Sequence, residues 1–569
     1  MRVNIIGTHR NQTGLSQDAD LIHGILVHAL GDSVKVTRTP HQHPSAPECD
    51  VNIFLEVVNI ALMNCAGKNI WIPNPEWTFR AWKPYANMFD EIWVKTREAE
   101  EIFKEMTTTP VKYIGWTSIA KSFVEKKNYH KAIVTVGKNI FRHPQILIDA
   151  YEHAPDNSKY PELYIPYDGT RLNVTVPESL KDRIHLLSTT LKQKEYDELL
   201  DECGLAICLS GAEGFGHAVN EAMSSGCNLL LGRIRPFEEL TTHAIWVEAE
   251  KKVPHPECFI DIATWSEEAI QSALDRYSAL NFRKRREQTN LIVSECTARH
   301  TAWIERMTAM LKEFAETVTP FSIKDSVPKE EDLPGVSIVT PTRDRVLFME
   351  LAKTCFENIA YPKDKLEWVI IDDGEESCKH IVKDMPNVKY VWEETGKTIA
   401  WKRNMGVRIA KYDIIAHMDD DDVYPNNSVI YRVAELLRAP AKGCVFCTTI
   451  PCYDICNYIS FINVPPMKLE MSQRVSEATM AYTRAFWEEH PFDENIRIAE
   501  GHTFIRGREH MCRELCPEQV IVSLVHPKTT SSRKAPAGTE SNGCHFGFSD
   551  DLFQAVTEIG QMLNTKSAS

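Results

Sequence analysis

Residues 205–227 read LAICLSGAEGFGHAVNEAMSSGC, and the fold of half the chain turns on them. LAICLS is a short apolar run with the length of a buried strand. A glycine-bearing turn follows, and then a helix. Glu213 and Glu221 stand eight apart, one ahead of the turn and one about two turns into the helix. Gly214 and Gly216 let backbone amides approach a ligand closely, and a helix N-terminus favours an anion such as a diphosphate. A carboxylate on such a helix can accept hydrogen bonds from both hydroxyls of a ribose. Two glutamates at this spacing arise readily by chance, and a solvated helix face beside a structural turn is the plain alternative.

Working outward, strand-like segments alternate with helical ones. VNIIG (3–7) leads to a helix over 14–30, followed by VNIFLEV (51–57), IWIP (70–73), EIWVKT (91–96) and VKYIG (111–115). A second set runs through AIVTVG (132–137), ELYIP (162–166), IHLLS (184–188), LAICLS and NLLLG (228–232). Each set predicts a doubly wound parallel sheet, and 267–318 reads as helix. TPFSIKDSVPKEEDLPG, rich in Pro and charge, marks a linker over 319–334. The alternation then restarts with VSIVTPT (336–342), EWVIIDDG (367–374), VKYVWEE (388–394) and DIIAHMDDDD (413–422). Ligands of open α/β sheets bind at such strand C-termini.

The chain has 569 residues, 43% hydrophobic and 25% charged, with 64 Lys and Arg against 79 Asp and Glu for a net charge of −15. This composition predicts a large globular protein of two to four domains and speaks against a broad nucleic-acid surface. No apolar run reaches the roughly 18 residues of a membrane span, and the N-terminus lacks signal-peptide features. Sixteen scattered cysteines predict a reducing, cytoplasmic setting. Formal glycosylation sequons at Asn11, Asn173 and Asn426 are then expected to stay unmodified. Cys444, Cys447, Cys452 and Cys456 have a spacing compatible with zinc or an iron–sulfur cluster, or with ordinary buried thiols.

EGFGHAVNEAMSSG resembles the Glu-x7-Glu motif of retaining GT-B glycosyltransferases of family 4. The resemblance implies two Rossmann-like lobes, about 1–125 and 126–300, with helices to 318. It puts Glu213 at the donor-sugar hydroxyls as a catalytic residue and Glu221 on the ribose, with Gly214, Phe215 and Gly216 around the donor. AIVTVGKNIFRHP resembles the opening of that family's second lobe, where a basic pair neutralises the diphosphate; Lys138 matches the first position and Arg142 the second. Gly14 matches the Gly-rich acceptor-side loop. The GxGxxG of dinucleotide enzymes is absent. Trp77 and Trp82 in PNPEWTFRAW either stack on a sugar or belong to the core.

HMDDDDVYP sets four carboxylates at a strand end, a repulsion that needs cations or donors nearby. It lacks the Gly and Glu of an EF-hand loop. VSIVTPTRDR, WVIIDDG and GKTIAWKRNMGVRIAKYDIIAHMDDDD together resemble, in order and spacing, the nucleotide-binding half of inverting GT-A glycosyltransferases of family 2. This implies a GT-A module over 335–569. Asp372 or Asp373 would contact the nucleobase, Thr342 would line the donor site, and Arg403 and Asn404 would lie near the diphosphate. Asp419 and Asp421 would form the DXD pair, the first shared with the ribose, the second on Mn²⁺ or Mg²⁺. Asp420 and Asp422 are left for turn geometry or outer hydrogen bonds.

The family's Glu-Asp pair is broken here, IRIAEGHTFIRGRE, which makes Glu500 the expected general base and Glu509 the poorer candidate. A structural carboxylate paired with Arg506 or Arg508 is the other reading of Glu500. His526 is either a third metal ligand or structural. The expectation is thus an α/β protein, GT-B followed by GT-A: a bifunctional glycosyltransferase using UDP- or GDP-linked sugars on a glycan acceptor. The N-terminal module would need no metal, and peripheral membrane contact stays open. One silent module, or a carbohydrate-binding protein without turnover, are the alternatives. Because a net charge of −15 repels nucleotide sugars, each cleft must supply local counter-charge.

Overall fold

The computed structural model describes residues 1–8, 14–43, 46–136, 139–167, 173–187, 191–323, 328–438, 443–529, 533–542 and 548–567. Among these, the side chains of 60, 61 and 565–567 are left aside. The chain divides into two compact units. The first comprises Met1–His41, Ile53–Val58 and Asn69–Val318, and the second Gln42–Asn52, Asn59–Lys68 and Thr319–Ser569. Both are mixed α/β with parallel sheets.

The first unit is built on two six-stranded sheets. In one, Lys35–Pro40 lies beside Arg2–Gly7, and Glu91–Val94 pairs with Ile70 and Trp71 on one side and with Val111–Tyr113 on the other. The other runs Ile245–Val247, Asn228–Gly232, Cys203–Cys208, Asn128–Val134, Glu162–Pro166, Ile184–Leu187, parallel throughout. Cys203–Cys208 and Asn228–Gly232 are buried at every residue. Their continuous apolar runs therefore belong to a sheet covered on both faces. The 36-residue helix Phe282–Thr317, about 54 Å long by its rise, packs on both the helix Gly14–Leu30 and the helix His217–Ser225. It holds elements of the two sheets against one another.

The second unit centres on a seven-stranded sheet ordered Val388–Trp392, Leu366–Asp372, Val336–Thr342, Ile414–His417, Ser476–Thr483, Cys444–Cys447, Cys512–Glu514. The first four strands are parallel, and Ser476–Thr483 runs antiparallel to both its neighbours. A four-stranded sheet joins Asp422–Val423, Val522–Val525, Ile450–Asp454 and Ile459–Asn463. The strand expected over 413–422 ends at His417, and Asp422 pairs with Ser523 in the smaller sheet. Like charges side by side favour leaving the ladder, and the backbone turns there. Strand Lys35–Pro40 and the strands between 444 and 514 escaped the sequence reading: most are short, and Cys444–Cys447 and Ile450–Asp454 lack polar alternation.

The thiols of Cys447 and Cys452 are buried in strands, and burial pushes both upward, the opposite of metal-bound thiolates. Among the described residues no three Cys, His, Asp or Glu side chains form a metal-holding group. No helix among them is long and apolar enough to cross a membrane.

Candidate active sites

In the first unit the turn 209–216 delivers Glu213 from the end of a central strand, and the helix His217–Ser225 carries Glu221. Gly216 caps this helix at its start with φ 99°, and Gly226 closes it with φ 94°, both left-handed. A side chain at Gly216 would also strike Phe237, 2.7 Å from its Cβ. Phe215 is buried, its ring edge-on to His217 at 5.3 Å.

Arg142 donates Nε–H to Glu213 Oε1 at 2.8 Å and Nη1–H to the Thr135 carbonyl at 2.8 Å. Asn139 adds a bond to the same carboxylate oxygen at 3.0 Å. Arg142 thus meets Glu213 directly, while Lys138 lies outside the described residues. Glu221 is nearly buried and accepts Nε2–H of Gln17 at 2.5 Å. Gly14 starts the helix that bears Gln17, and a Cβ on it would touch the His217 ring at 3.1 Å.

Several polar residues here have no counterpart in the sequence reading. Asp18 Oδ1 meets His217 Nε2 at 2.8 Å, and Ser118 Oγ meets His217 Nδ1 at 2.7 Å. Lys95 and Trp116 donate to the same buried Asp18. Burial opposes its ionisation, yet Lys95 and His217 hold Asp18 down at about 2. Beyond Lys95, Asn74 bonds Glu56 at 2.6 Å. Burial raises Glu56 to about 7 and, helped by Glu213, raises Glu76 to about 8. A Cβ on Gly214 would lie 2.7 Å from both Glu76 Oε2 and Asn74 Oδ1, so a side chain there would displace that carboxyl or the amide. Trp82 is core, packed edge-on against Phe79, whereas half-buried Trp77 lies against Phe141 at 5.3 Å. The one signal for Glu76 was its place in PNPEW, among aromatics read for stacking.

In the second unit the ends of three parallel strands bring Thr342, Asp372 and the run after His417 together. Asp419 and Asp421 are partly open, and Asp420 and Asp422 are buried. Asp420 accepts the Thr342 hydroxyl at 2.5 Å, and Asp422 accepts Leu524 N–H at 3.0 Å. The two spare acids therefore tie the turn to both sheets. Burial, reinforced by Asp421, lifts Asp420 to about 7 and Asp422 further. Burial also raises Asp419, against the pull of Arg403. Asp421 is opposed by burial but held low by His526 and Arg345.

His526 lies 3.2 Å from Asp421 Oδ2, stacked on Phe348. Its Nδ1 accepts Lys528 N–H at 3.2 Å, and its Nε2 also lies 3.3 Å from Arg345 Nη1. Arg345 pairs with the same carboxylate at 2.7 Å. Asp419 turns toward Arg403, its Oδ1 3.2 Å from Nη1 and its Oδ2 accepting Nη2–H at 3.3 Å.

Arg403 is fully interior, donating to Glu500 at 3.0 Å and to His417 at 2.8 Å. Glu500 opens the helix Glu500–Ile505 after Ala499, whose φ is 59°. Glu509 lies past that helix, in the turn Glu509–Met511.

Asp372 and Asp373 are fully buried. Gly374 N, Cys378 N and the Tyr390 hydroxyl occupy Asp372, while Gly396 N, Lys397 N and Lys402 occupy Asp373. Both hold loops in place, and neither presents a free face. Asn404 likewise spends its amide on Phe492 O, Glu494 and Trp487, not on an open cleft. Lys402 and Arg345 are quoted within the motifs but not singled out: Lys402 donates to Asp373 and the Thr342 carbonyl, and Arg345 pairs with Asp421. Glu477, on strand Ser476–Thr483, was not foreseen at all. Its carboxylate accepts Gly501 N–H at 3.0 Å, next to Glu500.

Residues 337–486 match the family model Glycosyl transferase family 2. The C-terminal unit thus carries a glycosyltransferase domain, an enzyme domain. The match takes in the four aspartates, Arg403 and Glu477 and stops short of Glu500 and His526. The chain is 34% identical over 121 residues to a chondroitin synthase of Escherichia coli, covering 20% of this chain and 17% of that protein. It is 34% identical over 112 residues to a hyaluronan synthase of Pasteurella multocida, covering 18% and 11%. The chain therefore spans less than a fifth of the length of either relative. Similar solved structures include the mannosyltransferase PcManGT of Pyrobaculum calidifontis in complex with GDP-Man and Mn²⁺, at 19% identity, 35% and 60% coverage and TM-score 0.29. Another is S. aureus TarS 1–349 with UDP-GlcNAc, at 15% identity, 35% and 62% coverage and TM-score 0.29.

Proposed function

We propose that the protein is a two-module glycosyltransferase that moves sugars from nucleotide-sugar donors to a growing glycan. The GT-A module spans 335–569 and the GT-B module 1–318. The observation that carries the reading is the alternation at Asp419–Asp422. Two acids are buried as braces and two are left open at a strand end, inside a family 2 domain.

Asp421 and His526, with Asp419 beside Arg403, offer oxygen and imidazole donors to a hard divalent ion. The partly open carboxylates of Asp419 and Asp421 and the raised acids around them are the charge such an ion relieves. Mn²⁺ or Mg²⁺ bound there would act as Lewis acid on the diphosphate leaving group. Arg345, now on Asp421, is free to take a phosphate oxygen once that carboxylate has another partner. Transfer in this module proceeds with inversion, so an acceptor hydroxyl must lose its proton to a base on the chain.

For the first unit, support comes from Glu213 with Arg142 and Glu221 on a helix between left-handed glycines, all at strand ends of one sheet. There Glu213 serves the sugar hydroxyls, Glu221 the ribose, and Arg142 and the helix start the diphosphate. This module works with retention and without metal. A second reading, with only this module active, is favoured by one observation: Glu500 is 4% exposed and committed to Arg403.

Hydrolysis of UDP-GlcNAc, UDP-Glc, UDP-Gal, UDP-GlcA and GDP-Man, with and without EDTA, tests the proposal. Asp421→Ala is expected to abolish only the EDTA-sensitive activity and Glu221→Ala only the insensitive one. Loss of both by either substitution would refute two independent modules.

A further inference from the structure

We propose that Glu477, not Glu500, is the general base of the C-terminal module, its carboxylate set in the side-chain space that Gly501 leaves vacant. This rests on reading that module as an inverting transferase. Three observations carry it. A Cβ built on Gly501 would lie 2.8 Å from Glu477 Oε1, 2.9 Å from Cγ and 3.1 Å from Cδ. The Glu477 carboxyl thus fills the volume into which a residue at 501 would project. Gly501 has no left-handed φ, and the three atoms nearest a Cβ there all belong to the Glu477 side chain. Its N–H donates to Glu477 Oε1 at 3.0 Å and fixes that oxygen at the helix start.

The third observation is a division of labour between two neighbouring acids. Glu500 is 4% exposed and bonded to Arg403 Nε, which also bonds His417 and pairs with Asp419. A carboxylate neutralised by a buried guanidinium is a poor proton acceptor. Glu477 is less buried, and only one of its oxygens is held by Gly501. The charged and titratable groups that face it are Glu500 and Arg403, with His417 on the adjoining strand kept neutral by burial and Arg403. Burial and Glu500 raise Glu477 to about 7, where a base is both free and basic at neutral pH. Glu500 is then a positioning residue that holds Arg403 against Asp419.

In the step itself the acceptor oxygen bonds to the anomeric carbon as the bond from that carbon to the diphosphate oxygen breaks. The electron pair leaves on the nucleoside diphosphate, and the hydroxyl proton passes to Glu477. Water can replace the acceptor, so hydrolysis reads the same proton transfer.

The test uses the full chain and the EDTA-sensitive hydrolysis of the five nucleotide sugars above. Glu477→Gln is expected to lower kcat at least about 100-fold with KM little changed, and to remove the rise of kcat with pH near 7. Glu500→Gln lowers kcat but keeps a rise, moved to lower pH because the Glu500 charge no longer opposes ionisation of Glu477. Adding Gly501→Asp to Glu477→Ala should return at least about tenfold of the lost rate, a rescue that a merely structural Glu477 would not show. A Glu477→Gln enzyme within threefold of wild type, or loss of the pH rise in Glu500→Gln alone, overturns the inference. Should the wild type show no EDTA-sensitive hydrolysis of any of the five, the reading of the module itself fails.

Discussion

The turn at Glu213 and the turn at Asp419–Asp422 face the same difficulty, carboxylates crowded at the end of a buried strand, and meet it by different means. At Glu213 a guanidinium of the same sheet supplies the counter-charge, and the surrounding acids Glu56 and Glu76 are driven toward the neutral form. At Asp419–Asp422 two acids are spent on hydroxyl and backbone donors, and the other two keep oxygens that Arg403 and Arg345 cover only in part. The first turn is closed in charge by protein alone. The second is left short of positive charge, the state expected of a site completed by a cation.

This contrast can be broken most sharply with metal. Mn²⁺ at 100 times its dissociation constant should stabilise the second unit by about 2.7 kcal/mol, read as a calorimetric shift that Asp421→Ala removes and Glu213→Gln does not. An equal shift in Asp421→Ala would end the comparison. Larger in stability is Arg403→Met, which leaves Glu500 and Asp419 without their buried partner. A loss of about 3–5 kcal/mol is expected in urea unfolding, and Arg142→Met should cost less because Asn139 still serves Glu213.

How much of this was legible depended on whether a residue's role lay in its local pattern. The strand, turn and helix around Glu213 follow from an apolar run, two glycines and a helical repeat, and the structure has them at those residues. Lys35–Pro40 carries only one buried residue, and nothing in its pattern separates it from a loop. Glu477 and Glu76 were invisible for another reason. Each matters because of an absence elsewhere: a missing side chain at Gly501 in one case, at Gly214 in the other. Spacing along a chain does not encode a space. Asp372, Asp373 and Asn404 show the converse, since their motifs were plain while their side chains are committed to loop anchoring.

A smaller effect sharpens the comparison through pH. Glu56 and Glu76 bind protons more tightly folded than unfolded, so stability of the first unit should fall as pH rises from about 4.5 toward about 8. Glu76→Gln should flatten that slope in thermal melts by several degrees. Asp18 has the opposite sign: its contribution is complete above about 4 and is lost as pH falls toward about 2. The smallest expected effect is Gly216→Ala, about 1–2 kcal/mol for a left-handed backbone, with any excess reporting the Phe237 contact.

The helix His217–Ser225 stands between two left-handed glycines, and this fixes its length as well as its ends. Each residue added to a helix turns everything after it by about 100°. A single insertion between Gly216 and Glu221 would swing the carboxylate away from Gln17, and with a stop at Gly226 no later turn could absorb the error. The nine residues before Gly226 are a ruler that tolerates substitution but not a change of count.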